Sequence, residues 1–194
     1  MEKMEKMEKM EKMESHNSSS NYYDAIWILS DINRDLKTAR DNYNNYLKLE
    51  AAGVIDALTQ ENIGSLKRLT FFSLILNLCK FKEVFEYYDD EFKLLEDELL
   101  DALNNINMTI TNKGMKAFRN KYICHVFDTS GNKVRPLTVK KAASRLKKII
   151  GETDEEQKEF LSWIYQEESD DCVTNVIYSA ILVFQKKSGS YYRT

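Results

Sequence analysis

Proline occurs once, at Pro136, and glycine six times in 194 residues, so the chain is almost free of the residues that interrupt helices. That scarcity, beside abundant Leu, Lys, Glu and Asn, excludes collagen-like and proline-rich disordered chains, argues against a β-sandwich and predicts an all-α protein. Cysteine is also sparse: Cys79, Cys124 and Cys172 lie far apart, with no Cys-x-x-Cys pair and no signal-peptide pattern before them. A reduced, cytoplasmic setting is expected. Histidine occurs twice, too few for a His/Cys zinc centre without clustered cysteines, and the Glu-x-x-His pairs of a di-iron bundle are missing. No metal and no cofactor are expected. The longest nearly apolar stretch, Leu69 to Cys79, is 11 residues between Lys67, Arg68 and Lys80, against roughly 20 for a membrane span, so no membrane partner is expected.

Residues 1–12 are four copies of Met-Glu-Lys, followed by Met13 and the polar run Glu14-Ser15-His16-Asn17-Ser18-Ser19-Ser20. The repeat reads as an added expression leader, residues 13–21 as a disordered polar N-terminus, 22–188 as one helical domain and 189–194 as a tail. The remaining breakers punctuate the domain. Tyr22, Ile26, Leu29, Ile32, Leu36, Tyr43 and Leu47 recur at helical spacing and predict a long amphipathic helix. A short helix over 54–58 is expected next, ended by Gly64. Leu66, Leu69, Phe72, Leu76, Phe81, Val84, Phe85 and Tyr88 then trace a central apolar helix.

Residues 65–113 would make a helix of about 74 Å at 1.5 Å per residue, which places a break near Tyr88-Asp89-Asp90. Phe92, Leu95, Leu99, Leu103 and Ile106 predict a further helix. Thr111 or Asn112 is expected to cap the next, carrying Met115, Phe118, Tyr122 and Phe127. Thr138 should cap a helix closed by Gly151, and Thr153 with Glu156 forms a capping-box pattern. Helix is expected through Trp163 and Ile164 and again over Val173 to Phe184. The expectation is six or seven helices and no sheet.

The net charge of −3 excludes a uniformly basic nucleic-acid binder, but the charge is segregated. Residues 86–101 hold eight acids against Lys93 alone, and residues 113–148 hold eleven bases against Asp128 alone. The basic stretch is a candidate phosphate-binding face, with Lys116, Lys121, Arg135, Lys140 and Lys141 as its candidate contacts. The alternative is a set of solvated helix faces that neutralise the acidic segment.

Inside the basic stretch lies Phe118-Arg119-Asn120-Lys121-Tyr122-Ile123-Cys124-His125-Val126-Phe127-Asp128, with five residues between Arg119 and His125. This string resembles the Arg, four-to-six residues, His signature of the HEPN superfamily (higher eukaryotes and prokaryotes nucleotide-binding), most of all its abortive-infection, AbiU-like branch. The likeness in order of elements spans about residues 22–186, while the motif itself spans Arg119 to His125. The resemblance implies a HEPN-like helical bundle, a homodimer, and a metal-independent endoribonuclease of a toxin–antitoxin or antiphage system with a possible cognate antitoxin. Some family toxins carry a tyrosine two residues after the histidine that an antitoxin modifies; here Phe127 stands there, which removes the hydroxyl that control needs.

The residue types suit that chemistry. The 2′-hydroxyl of RNA can attack the adjacent phosphate when one group accepts its proton and another protonates the departing 5′-oxygen. Histidine, with an ordinary pKa of about 6.5, has both forms available near neutrality. Arginine stays charged and offers a fork of donors to the developing charge on phosphate oxygens. Arg119 and His125 are thus the candidate catalytic pair, Asn120 a supporting residue, and Asp128 a candidate orienter of the imidazole. On an ideal helix Arg119 and His125 stand about 120° apart and about 9 Å along the axis, a gap that a long side chain, a distorted helix or a second motif across a dimer axis would close. Lys121 and Asp128, at i−4 and i+3, are nearer the His125 face. Cys124, adjacent to His125, points elsewhere on a helix, which argues against a Cys–His nucleophile pair. The competing reading is a non-catalytic RNA-binding or protein-interaction module with a degenerate motif, in which Arg119 forms a structural ion pair.

Overall fold

The computed structural model describes residues 2–53, 60–123, 127–128, 135–136 and 138–189, with side chains for 21–53, 64–123, 138 and 140–189. The all-α reading holds: the described residues form α1 (Glu2–Ala51), α2 (Gln60–Tyr87), α3 (Asp89–Phe92), α4 (Asp97–Asn112), α5 (Met115–Phe118), α6 (Val139–Ile150), α7 (Asp154–Ile164) and α8 (Val173–Ser188). A π-helical turn over Arg119–Ile123 continues α5. A two-residue antiparallel ladder pairs β1 (Phe127–Asp128) with β2 (Arg135–Pro136), where the sequence predicts no strand. Pro136 lacks an N–H, which limits how far such a ladder extends.

The hydrophobic stripe of α1 behaves as its spacing predicts from Tyr22 to Tyr43, whereas Leu47 is exposed near the helix end. The helix also runs back through residues 2–21, the span expected to be a leader and a disordered run. Met, Glu and Lys are strong helix formers, and no Gly or Pro intervenes before Gly53, so the backbone has no local reason to stop. The expected short helix over 54–58 falls outside the described residues.

In α2 the apolar phase differs from the expected one. Phe71, Leu74, Ile75, Leu78, Cys79 and Phe81 are buried, and Leu69 is exposed. The helix is apolar on so many sides that one 3.6-residue stripe does not define its buried face. Its flanks meet α1, α4, α5 and the π turn. Gly64 lies inside α2 rather than before it.

The break at Tyr88 is present, since its φ of −100° and ψ of 32° leave the helical region and separate α2 from α3. Phe92 therefore belongs to the single turn α3 and Leu95 to the linker, not to the helix of Leu99, Leu103 and Ile106. Thr111 and Asn112 are corrected too: they close α4, and the Thr111 hydroxyl donates back to the Asn107 carbonyl at 2.9 Å. The chain enters α5 through Gly114 at φ 65°, a left-handed conformation that glycine adopts without the Cβ penalty.

Three columns of rings join these helices. Tyr22, Phe184, Phe92, Phe85 and Phe81 follow one another at centroid distances of 5.2, 5.1, 4.8 and 5.9 Å, linking α1, α8, α3 and α2. Tyr43, Phe71, Phe160 and Trp163 link α1, α2 and α7 at 5.9, 6.1 and 5.7 Å. Phe72, Phe118 and Tyr122 carry α2 to α5 and the π turn at 5.6 and 5.2 Å. Each ring pair is worth about 0.5–1.5 kcal/mol beyond the area it buries.

The expected caps of α6 and α7 are in place. The Thr138 hydroxyl accepts from the Lys141 N–H at 3.4 Å, and Gly151 ends α6 at φ 114°. In the capping box, Thr153 accepts from the Glu156 N–H at 3.2 Å while Glu156 accepts from the Thr153 N–H at 2.9 Å.

Two glycines should therefore respond oppositely to alanine. A Cβ at Gly64 meets nothing within 4 Å, so Gly64→Ala should raise stability by about 0.5–1 kcal/mol. A Cβ at Gly151 would meet the Glu156 Cβ and lie 2.9 Å from its backbone carbon, at a positive φ, so Gly151→Ala should lower stability by about 1–3 kcal/mol. Thermal melts of the two variants check both signs.

Backbone hydrogen bonds from Thr153 and Glu152 hold the Glu156 carboxyl below its ordinary 4.5. A carboxylate with a lowered folded pKa contributes stability that is complete above the unfolded value and is lost as pH falls through the lowered one. Glu156→Gln keeps an acceptor for the capping box without that titration. Its melting temperature should accordingly fall less than the wild-type value between pH 6 and pH 3.

Candidate functional site

The site begins where α5 changes winding. Phe118 is buried between Phe72 and Tyr122, and the next five residues adopt the π turn. Such turns use i→i+5 bonds, so the ideal-helix arithmetic that separates Arg119 from His125 by 120° does not apply. Arg119 leaves the turn toward α2, where its Nη1 donates to Glu83 Oε1 at 2.6 Å, and its Nε donates to Asn120 Oδ1 at 3.0 Å. The Arg119 side chain is 15% exposed and that of Glu83 48%. The guanidinium is thus held from two sides before any ligand arrives, and Asn120 acts on Arg119.

Glu83 is a partner that sequence reasoning missed. It stands 36 residues before Arg119, on a different helix, and no local motif marks it. Next to it in sequence, Lys82 donates to Asn107 Oδ1 at 2.8 Å and pairs with Glu86 at 2.8 Å. The hydrogen bond from Lys82 holds the Glu86 carboxyl below its ordinary 4.5, and the charges of Lys82 and Lys116 add to the effect. Lys116 is exposed, and its charge is felt at Glu86.

His125 and Cys124 lie outside the described residues, and so do the side chains of Asp128 and Arg135. Their backbones correct one expectation: Asp128 is in β1, directly opposite Arg135 of β2, so it is not the i+3 helical neighbour of His125. Phe127 is likewise in the strand. Lys121, on the π turn, is half-buried.

Five more of these bases belong to α6. Lys140, Lys141, Arg145, Lys147 and Lys148 are exposed on that helix, which carries no acid, while Ile149 and Ile150 turn into the core. The helix is clamped at its end, because Lys113 Nζ donates to the Ile149 carbonyl at 2.8 Å. A cation there also complements the negative end of the helix dipole. Within the acidic segment, Asp89 and Asp90 pair with Lys93 of their own segment.

Comparison with known proteins adds the fold. No family model and no curated protein matches the chain. Among solved structures it is similar to the integron cassette protein Vpc_cass2 from the mobile metagenome of V. paracholerae, with a TM-score of 0.67 and 19% identity over 84% of this chain and 95% of that one. At that identity the likeness concerns the helical architecture alone. No helix among the described residues is long and apolar enough to cross a membrane.

What the described groups can do is bind and stabilise anionic oxygen. Arg119 is a charged fork at the surface of α2, and α6 offers a solvated row of cations. The ion pair also makes Arg119 part of the packing between α2 and the π turn. Arg119→Ala should destabilise the protein by about 1–2 kcal/mol, through lost packing and the pair with half-exposed Glu83. A double-mutant cycle with Glu83→Ala, read by urea denaturation, should return a coupling of about 1 kcal/mol.

Proposed function

We propose that this protein is a metal-independent, HEPN-type endoribonuclease of a toxin–antitoxin or antiphage abortive-infection system, acting in the cytoplasm as a homodimer. The observation that carries the reading is Arg119, fixed by Glu83 and Asn120 on the π turn that leads to His125. In this mechanism His125 accepts the proton of the 2′-hydroxyl as its oxygen bonds to phosphorus, and the imidazolium returns a proton to the 5′-oxygen as the P–O5′ bond breaks, leaving a 2′,3′-cyclic phosphate and a 5′-hydroxyl, while Arg119 stabilises the charge growing on the phosphorane and Asn120 orients the guanidinium. The phosphate displaces Glu83 from part of the arginine fork. Lys116, Lys121, Arg135, Lys140 and Lys141 hold the flanking RNA backbone. Asp128 assists the imidazole from β1, and a cognate antitoxin restrains the enzyme.

A second reading has its own support. The short Glu83–Arg119 pair and the low exposure of Arg119 also fit a structural role, with the basic face serving as a non-catalytic RNA-binding or protein-interaction module.

RNA digestion separates the two. The purified protein should cut RNA and spare DNA, which lacks the nucleophile, and should do so in EDTA. His125→Ala should abolish cutting with an unchanged melt, and Lys140→Ala with Lys141→Ala should weaken RNA binding and flatten its salt dependence. Mixed dimers of Arg119→Ala and His125→Ala chains should recover measurable cutting over both mutant homodimers. Intact RNA with wild-type protein would establish the non-catalytic module instead, and full activity in His125→Ala would overturn the role given to His125.

A further inference from the structure

The cations of α6 are ordered around the helix. Lys140, Lys141, Arg145, Lys147 and Lys148 are exposed, and among the described residues none of them pairs with a carboxylate. At 100° per residue they form two rows: Lys140 and Lys147 lie within about 20° of each other, and Lys141, Arg145 and Lys148 within about 60°. The rows stand about 120° apart and run about 12 Å along the axis. Ser144, also exposed, sits midway between them in both directions. The opposite side of the helix is packed on the core through half-buried Leu146 and buried Ile149 and Ile150.

A face built this way selects among polyanions. A lipid surface takes an amphipathic helix by its apolar side, and in α6 that side is already occupied by the core. Unpaired RNA is held by aromatic rings on which its bases stack, and α6 carries no aromatic residue. A double helix presents its phosphates already in place, so two fixed rows of cations meet it without ordering a flexible strand. The A-form RNA duplex has a wide, shallow minor groove that displays 2′-hydroxyls between the phosphates of its two strands. The minor groove of B-DNA is about 6 Å wide, less than the thickness of an α-helix at about 10–12 Å.

We propose that α6 docks along the minor groove of an RNA duplex, with Lys140 and Lys147 on phosphates of one strand, Lys141, Arg145 and Lys148 on those of the other, and Ser144 on the 2′-hydroxyls between them. The RNA bound by this protein is thus a structured one whose paired stem is held by α6. The inference rests on the RNA-binding reading of the basic face and not on cleavage, because it uses neither Arg119 nor His125.

Fluorescence anisotropy with the full chain carrying His125→Ala, which keeps the probes whole, tests the docking. The probes are a blunt RNA duplex of about 16 base pairs, a DNA duplex of the same sequence and an unpaired RNA strand of equal phosphate count. The RNA duplex should bind at least fivefold more tightly than either of the others. Lys141→Gln, Arg145→Gln and Lys148→Gln in one chain should weaken it at least tenfold and lower the slope of log affinity against log salt by about two to three. Ser144→Leu keeps every charge and stands at an exposed position, so it should preserve the melting temperature and the affinity for the unpaired strand while weakening the RNA duplex at least fivefold. Equal affinity for duplex and unpaired RNA, equal affinity for the RNA and DNA duplexes, or unchanged duplex affinity in the Ser144 variant would overturn the docking and leave RNA binding standing. No saturable binding to any of the three, or binding to anionic phospholipid vesicles in their place, would overturn the RNA reading beneath it.

Discussion

The whole assembly depends on α2 being apolar on more than one side. An amphipathic surface helix buries one stripe and leaves the other to water, but Phe71 and Phe72 are consecutive, so their side chains diverge by about 100° around the axis and need separate partners. Phe71 meets Tyr43 and Phe160, and Phe72 meets Phe118. About three to four turns on, Phe81 and Phe85 begin the column that passes through Phe92 to Phe184 and Tyr22. Burying each of these side chains is worth about 1.5–3 kcal/mol, so α1, α3, α4, α5 and α7 gather around α2 to keep its rings from water, and α8 joins through Phe92 of α3.

That constraint also sets the position of Arg119. Phe72 fixes Phe118, and Phe118 stacks on Tyr122 of the π turn. Glu83 projects from the same helix as Phe72, so the apolar contact and the ion pair hold the turn to α2 at two points. Polar and apolar contacts cooperate here: the rings set the depth of the turn, and the carboxylate sets the direction of the guanidinium. α6 is held differently, by Ile149 and Ile150 in the core and by Lys113 on its last carbonyls, which leaves its cationic face to solvent.

Features written within a few residues were legible in the sequence. The Thr138 cap, the Gly151 stop and the Thr153–Glu156 box depend on neighbours three or four positions away, and each formed as its spacing predicts. The α1 stripe was legible because that helix has one buried face from Tyr22 to Tyr43. The phase of α2 was not, since a helix surrounded by partners has no single period to detect. Thr111 and Asn112 misled for a related reason: both residue types suit a cap, but the hydroxyl of Thr111 bonds back to Asn107 and continues α4. The π turn was invisible because side-chain spacing assumes 3.6 residues per turn, and Glu83 because an ion pair between helices leaves no local signature.

Arg119 brings the two functional readings into one physical question. An arginine already hydrogen-bonded to Glu83 and Asn120 has lost much of its rotamer freedom, so an arriving phosphate orders it at little further entropy. The same carboxylate, however, occupies part of the fork that the phosphate needs and offers a competing negative charge. Which effect prevails depends on water. Glu83 is about half exposed, so its attraction for Arg119 is screened, and when released it recovers hydration. On the proposed ribonuclease reading, a dianionic phosphorane carries more negative charge to the fork than the single carboxylate of Glu83. On that reading the balance favours phosphate during the transition state and Glu83 at rest, so the ion pair holds the arginine in the free protein without barring its use.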